Sequence, residues 1–229
     1  MPRKSAKTKA QAGKPGSLTD KAYRELEERI VTLRLQPGQV LSETALSEQL
    51  KIGRTPIREA LQRLAREGLV VILPRKGILV SEINPGKQLL VLEVRRELER
   101  LMVRAGSVRR TEAERDTFLE IADCMEHAAR ENDDIGFMRC DNAFHELIAT
   151  AAHNEYAVRA IGLMTGLSRR FWYVHYKETA DMPHCARLHA AVARAIAEGD
   201  PDGAAEASDN LVSYVETFTR STVGTGLAY

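Results

Sequence analysis

The strongest constraint in the sequence is a single long regime of helical periodicity. From Ile83-Asn84-Pro85-Gly86 onward, apolar residues recur every three to four positions almost without interruption. The spacing predicts helices over about 86–109, 112–131, 135–152, 155–178, 183–198 and 202–220. They are parted by short polar breaks such as Glu131-Asn132-Asp133-Asp134 and Glu198-Gly199-Asp200-Pro201. Connections this short leave each helix little choice but to fold back on its neighbour, so an antiparallel bundle of about six helices is expected.

The residues before Ile83 follow another pattern. Ala22, Leu26, Ile30 and Leu33 form one helical stripe after Ser17 or Thr19, either of which can cap it, and Gln36-Pro37-Gly38-Gln39 stops it. A second short helix covers about Ser42 to Leu50, with Lys51-Ile52-Gly53 as a tight connection. Thr55 is expected to cap a third helix, with Pro56 at its first position, where a missing N–H costs nothing. Ile57, Ala60, Leu61 and Leu64 would face its core. "LVVILPRKGILV" then reads as a hairpin around Pro74-Arg75-Lys76-Gly77. Three helices and a hairpin predict a winged helix-turn-helix, so the fold class is mostly α: a winged head followed by a helical bundle.

The net charge of +1 conceals an asymmetry that matches this division. Through Ser81 there are sixteen Lys and Arg against eight Asp and Glu, and the remainder carries seventeen against twenty-four. A basic head suggests a polyanionic partner. The expected organisation is a disordered basic tail at 1–16, the winged domain at 17–81, a linker at 82–86, an effector-binding and dimerisation bundle at 87–222, and a C-terminal tail at 223–229. No apolar run approaches membrane-spanning length and the N-terminus lacks a signal-peptide core, so a cytoplasmic protein without a membrane partner is expected. Cys124, Cys140 and Cys185 are odd in number and widely spaced, which fits reduced thiols better than a disulfide framework, with Cys140 an inert core residue.

A helix that reads the major groove packs one face on its own domain and presents base-reading residues near its N-terminus. Arg54, Thr55 and Arg58 occupy that end. Arginine can grip guanine O6 and N7 together, so Arg54 and Arg58 are candidates for base readout, and Arg63 and Arg66 for phosphate contact. Arg75 and Lys76 suit the tip of the wing, where Gly77 lets the backbone approach the minor groove. On residue types alone, a solvated charged face remains the alternative.

In the bundle, Phe137, Met138, Asp141, Phe144, His145, Ile148 and Ala152 share one stripe, which turns Asp141 and His145 inward. His189 shares another stripe with Cys185, Val192 and Ile196, and Arg95 falls among Val91, Leu98 and Met102. Two readings fit: a divalent-metal site built on an Asp/His pair at i, i+4, or an Asp–His hydrogen bond tying helices together. Arg95 facing the same interior would give a polar cavity suited to an anionic small molecule, or would only neutralise Asp141. His175 and the cluster Phe171 to Tyr176, with Arg169 or Arg170, could also line it. An enzymatic reading, metal-activated hydrolysis, lacks an obvious general base, since Glu146 lies off the inward face.

"LSEQLKIGRTPIREALQRLAREGLVVILPRKGILV", Leu46 to Val80, resembles the DNA-binding domain of GntR-family bacterial transcription regulators. "VLEVRRELE", "DNAFHELIATAAHN" and "HAAVARAIAEGD" are similar to the FCD ligand-binding domain attached to the FadR branch of that family. The resemblance implies operator contacts at the positions of Arg54, Thr55, Arg58 and Gly77. It implies an effector pocket inside the bundle and, in many members, a divalent metal such as zinc, nickel or manganese held by one Asp and three His. Asp141, His145 and His189 fall on the first three of those positions. Two departures stand out: Gly53 replaces the family's usual Ser or Thr, and Leu211 stands inward where the fourth His is expected. The resemblance therefore implies a homodimeric, effector-responsive repressor of a roughly palindromic operator. Its effector would be a small organic acid, bound with a metal or in a metal-free pocket.

Overall fold

A computed structural model describes residues 17–74 and 77–223, except for the side chains of Glu178 and Thr179. The expected basic tail, Arg75, Lys76 and all but the first residue of the C-terminal tail lie outside the described residues.

Helix α1 (Leu18–Val31) starts at a reciprocal cap: Ser17 Oγ accepts from Asp20 N at 3.1 Å and Asp20 Oδ2 accepts from Ser17 N at 3.1 Å. Ser17, not Thr19, is the capping residue. The helix ends at Thr32, ahead of the Pro-Gly pair, because Leu33 takes a left-handed conformation. Helix α2 (Glu43–Leu50) is capped by Ser42. Helix α3 (Arg54–Arg66) begins two residues earlier than the sequence suggests. Its cap is Gly53, with no side-chain hydrogen bond, so Thr55 is not the cap and Pro56 sits within the first turn. Proline is tolerated there because first-turn N–H groups have no helical partner.

Strand β2 (Val70–Leu73) pairs antiparallel with β3 (Gly77–Val80), as the hairpin pattern predicts. A two-residue strand β1 (Val40–Leu41), too short to show periodicity, lies on the other side of β3, giving the sheet order β1-β3-β2. Gly77 has φ +104°, a conformation that side-chain-bearing residues rarely adopt. The core of this head joins Ala22, Leu26 and Ile30 to Ile57, Leu61 and Leu64, all with no accessible surface.

The bundle comprises α4 (Pro85–Arg109), α5 (Glu112–Glu131), α6 (Asp134–Ala151), α7 (Glu155–Thr179), α8 (Met182–Glu198) and α9 (Pro201–Thr222). Each start is capped by a short polar side chain: Asn84, Thr111, Asp133, Asn154, Asp181 and Asp200 in turn. α5 packs most extensively on α8, and α4 on α9. Phe118, Met125, Phe144 and Ile196 are among the residues that fill the centre.

Head and bundle meet along α7. Leu167 inserts against the head core, and a Cβ on Gly166 would come within 2.7 Å of Leu69 Cδ1, so any larger residue there would require the Leu69 side chain to shift. Arg169 pairs with Glu27 at 3.2 Å. Arg170, only 2 % exposed, donates to Ser81 O at 2.9 Å, Ser81 Oγ at 3.0 Å and Glu82 O at 3.3 Å. These two arginines hold the head and its linker instead of lining a bundle pocket.

Candidate functional site

The amphipathic design of α3 decides which residues the head can offer to a partner. With Ile57, Ala60, Leu61 and Leu64 buried, Arg54, Thr55, Arg58, Arg63 and Arg66 are exposed. Arg58 is held in a two-pronged pair by Glu43 of α2, with Nη2 2.8 Å from Oε2 and Nε 3.1 Å from both carboxylate oxygens. That contact draws the Glu43 carboxyl below its ordinary range. It also holds the guanidinium against α2, beside a carboxylate that any anionic partner must displace or tolerate. Arg63, expected at phosphate, is exposed but already engaged within the head. Its guanidinium carbon sits 3.6 Å from the ring centroid of Tyr23, and the group pairs with Glu67 at 3.1 Å and Asp20 at 3.9 Å. Arg63 thus ties α1 to α3.

Inside the bundle, α6 presents Asp141 and His145 one turn apart, and α8 brings His189 to the same point. Asp141 Oδ1 lies 3.3 Å from His145 Nε2 and 3.0 Å from His189 Nε2. One ligand atom from each of the three falls within 4.8 Å of the other two. His189 is buried, whereas the side chains of Asp141 and His145 are 30 % and 39 % exposed, so the inward stripe opens on one side.

The hydrogen bonding of His189 fixes what its ring can do. Its Nδ1 lies 2.8 Å from the Cys185 carbonyl, which can only accept, so Nδ1 carries hydrogen. Nε2 therefore either holds a second proton, as an imidazolium facing the Asp141 carboxylate, or aims a lone pair at a cation beside that carboxylate. Backbone-oriented Nδ1 is the usual support for a metal-binding imidazole. Without a metal the ion pair is favoured: burial opposes charge on His189, yet Cys185 and Asp141 push its pKa well above the ordinary imidazole value. Burial likewise opposes ionisation of Asp141, and the two histidines outweigh it, holding the carboxyl well below its ordinary range.

These histidines open onto a cavity of about 40 Å³. Arg95 and Glu99 of α4 supply its other polar wall, and Leu92, Leu211, Val212 and Val215 its apolar one. Arg95 faces this interior, as the stripe predicts, but its partner is Glu99, with Nε 2.7 Å from Oε1, and not Asp141. Glu99 is a polar wall residue that the sequence reading missed, although an Arg/Glu pair at i, i+4 was there to be read. Leu211, the residue expected where the resemblance implies a fourth His, is 5 % exposed and lines the cavity with His145 and His189. Phe171 and His175 are buried elsewhere, in a cluster where Phe171 meets Phe218 of α9 edge-on and Trp172 packs against it at a tilt.

A winged head with a cationic α3, joined to a helical bundle in which Asp141 and His145 of α6 meet His189 of α8 across a narrow polar cavity from Arg95, has the build of a DNA-binding protein with a second, separate site. Residues 18–80 match the family model of bacterial regulatory proteins of the gntR family, and residues 90–213 match that of the FCD domain. The chain belongs to the GntR family of transcription regulators, with an FCD domain, and that is a family of regulators, not of enzymes.

It is 30% identical to an uncharacterized HTH-type transcriptional regulator in an unstable DNA locus of Streptomyces ambofaciens, over 69% of this chain and 72% of that protein. It is 25% identical to the HTH-type transcriptional repressor RspR of Escherichia coli, over 86% of this chain and 87% of that one. Among solved structures, E. coli McbR/YncC shares the fold with a TM-score of 0.76 at 19% identity, covering 92% of this chain and all of that one. A GntR regulator from Rhodococcus sp. RHA1 has a TM-score of 0.67 at 19% identity, covering 89% and 97%. Among the described residues no helix is long and apolar enough to cross a membrane.

Proposed function

We propose that this regulator is a homodimeric repressor that binds a roughly palindromic operator through Arg54, Thr55 and Arg58, and is released by a small carboxylate-bearing effector at the Asp141–His145–His189 cavity. Arg66 would meet phosphate, with Arg75, Lys76 and Gly77 at the wing. Two reading heads related by a two-fold axis call for two matching half-sites. The repressor RspR, similar along most of its length, supports this sense of regulation.

The observation that carries the effector reading is Arg95 held against Glu99 at the mouth of a cavity whose other polar groups are imidazoles. A carboxylate that replaces Glu99 at Arg95 would free α4 from its own i, i+4 clasp. Because α4 begins directly after the linker that Arg170 grips, a shift of α4 is transmitted to the head. A coupling of about 1–3 kcal/mol between effector and operator is the size expected of such switches. The cavity is far smaller than the roughly 300 Å³ of a drug-sized pocket. The effector is therefore small, or it enters by parting α4 from α9.

The donor set, one carboxylate oxygen and two imidazole nitrogens with a backbone-oriented Nδ1, fits a divalent ion such as zinc, nickel or manganese. Asp141, His145 and His189 would hold it, and bound there it would supply positive charge and an open position for a ligand oxygen. Leu211 leaves three protein ligands, so a metal-free pocket in which Arg95, His145 and His189 bind the carboxylate directly is the second reading. Elemental analysis of protein purified without chelator separates the two. The whole reading is tested by anisotropy titration of a fragment of its own promoter against random DNA at physiological salt, with and without small carboxylates. Equal affinity for both DNAs, or no effect of any carboxylate that raises the melting temperature, would refute it.

A further inference from the structure

Cys124 and Cys140, expected from their spacing to be separate reduced thiols, are joined as a disulfide between α5 and α6. Sixteen residues apart in sequence, they meet because α6 folds back beside α5 after the turn at Asn132-Asp133, an alignment that no spacing rule reveals. Their Cα atoms are 6.3 Å apart, a separation that a disulfide spans without backbone movement. A transcription regulator works where the genome is, and there thiols are reduced by default, so a disulfide is more often a transient or sensing element than a permanent staple.

We propose that this pair is an oxidation site for hydrogen peroxide, and that its closure locks the helix carrying Asp141. The accessibility of the two sulfurs is unequal: Cys124 is exposed, whereas Cys140 is 3 % exposed within the bundle core. Cys124 is thus the residue an oxidant meets first, and Cys140 the one that resolves it.

In the first step the Cys124 thiolate attacks the O–O bond. An S–O bond forms, the O–O bond breaks, and the departing hydroxide takes a proton to become water, leaving a sulfenic acid. The Cys140 thiolate then attacks the sulfenyl sulfur; the S–S bond forms, the S–O bond breaks, and a second water leaves after protonation. Two thiols lose two electrons and one peroxide becomes two waters. A dithiol reductant reaching the exposed Cys124 sulfur reverses it.

The consequence for the site follows from the packing. Asp141 follows Cys140 on α6, and its contact with His189 crosses from α6 to α8, helices that touch each other little. α5 packs on α8 more extensively than any other pair of elements in the molecule. A covalent tie from α6 to α5 therefore fixes Asp141 relative to His189 through the most firmly packed helix available. The functional weight of that lock rests on the effector-site reading of Asp141, while the oxidation chemistry does not.

The full chain is reduced, freed of reductant and treated with equimolar hydrogen peroxide. Thiols titrated in denaturant are expected to fall from three per chain to one, Cys185, with a peptide map joining Cys124 to Cys140. In Cys140→Ser, dimedone should label Cys124. In the oxidised wild type, amide exchange over residues 134–145 should slow by about tenfold relative to the reduced form. Three thiols persisting after peroxide, dimedone labelling Cys140 in Cys124→Ser at the rate of Cys124 in Cys140→Ser, or identical exchange in the two forms would each overturn the proposal. These measurements use neither DNA nor effector, so they fail or succeed separately from the promoter titration.

Discussion

Arg170→Met removes a buried cation while keeping most of its apolar stem, and the structure gives the size of the effect. The guanidinium makes three hydrogen bonds where the head joins the linker, two to Ser81 and one to Glu82. Bonds from a charged donor are worth about 1.5–3 kcal/mol each. Against them stands desolvation: burial lowers the pKa of Arg170 to about 10, a cost of about 3.4 kcal/mol. The middle of the resulting range is a net loss of about 3 kcal/mol on substitution, part of it because carbonyl oxygens are left without a donor. The Ser81 amide reports the loss directly, since it donates to Leu69 O at 3.0 Å where head meets linker. A 3 kcal/mol change in local opening is roughly a 150-fold loss of exchange protection. We expect that loss at Ser81, faster protease cleavage across 81–84, and partial recovery in Arg170→Lys, whose ammonium lacks the planar fork. Protection at Ser81 within about twofold of wild type would refute the idea that Arg170 is the clasp.

The other expectations are of smaller reach. Arg58→Ala should reduce the preference for promoter over random DNA by about 1–3 kcal/mol without changing the melting temperature, since the residue is exposed; Glu43→Gln should tighten binding to both DNAs, and weaker binding would mean that Glu43 serves to aim Arg58. Leu211→His, placing an imidazole in the cavity wall beside His145 and His189, should strengthen nickel or zinc binding by tenfold or more, about 1.4 kcal/mol, measured by competition with a chromophoric chelator. In the same assay His189→Ala should abolish stoichiometric binding. Gly77→Ala should destabilise the head by about 1–3 kcal/mol because of the left-handed backbone, read as a lower thermal midpoint.

Element type and order were legible because periodicity reports burial, and burial forms the helices. All six bundle helices begin and end within a residue or two of their expected bounds, and the stripe on α3 buries Ile57, Ala60, Leu61 and Leu64 as expected. The triad was legible for the same reason: stripes on α6 and α8 both turned a polar residue inward. What periodicity does not carry is which inward faces meet. Arg170 looks like any cation next to an aromatic cluster, and only the approach of α7 to the head, allowed by Gly166, turns it toward Ser81. Cys124 and Cys140 belong to faces of different helices whose register is set by the turn between them. The exposed end of α3 was legible as a surface, but its pairing with Glu43 was not, because that depends on the crossing of α2 and α3.

The contacts missing from the sequence reading share a direction. Arg170 joins α7 to the linker, Arg169 joins α7 to α1, and Gln88 of α4 donates to Ser168 of α7 at 3.2 Å in a buried setting. Arg95 and Glu99, on the same α4, line the cavity about two and three turns further along. A rearrangement at the cavity that moves α4 must therefore break or carry with it the Gln88–Ser168 bond, and through α7 the clasp on Ser81. A loosely jointed head would not respond to a cavity of this size. If Gln88→Leu left effector-dependent release of DNA at its wild-type magnitude, the signal would have to travel by way of the linker alone; if it halved the coupling free energy while leaving operator affinity unchanged, the α4–α7 seam would be the route.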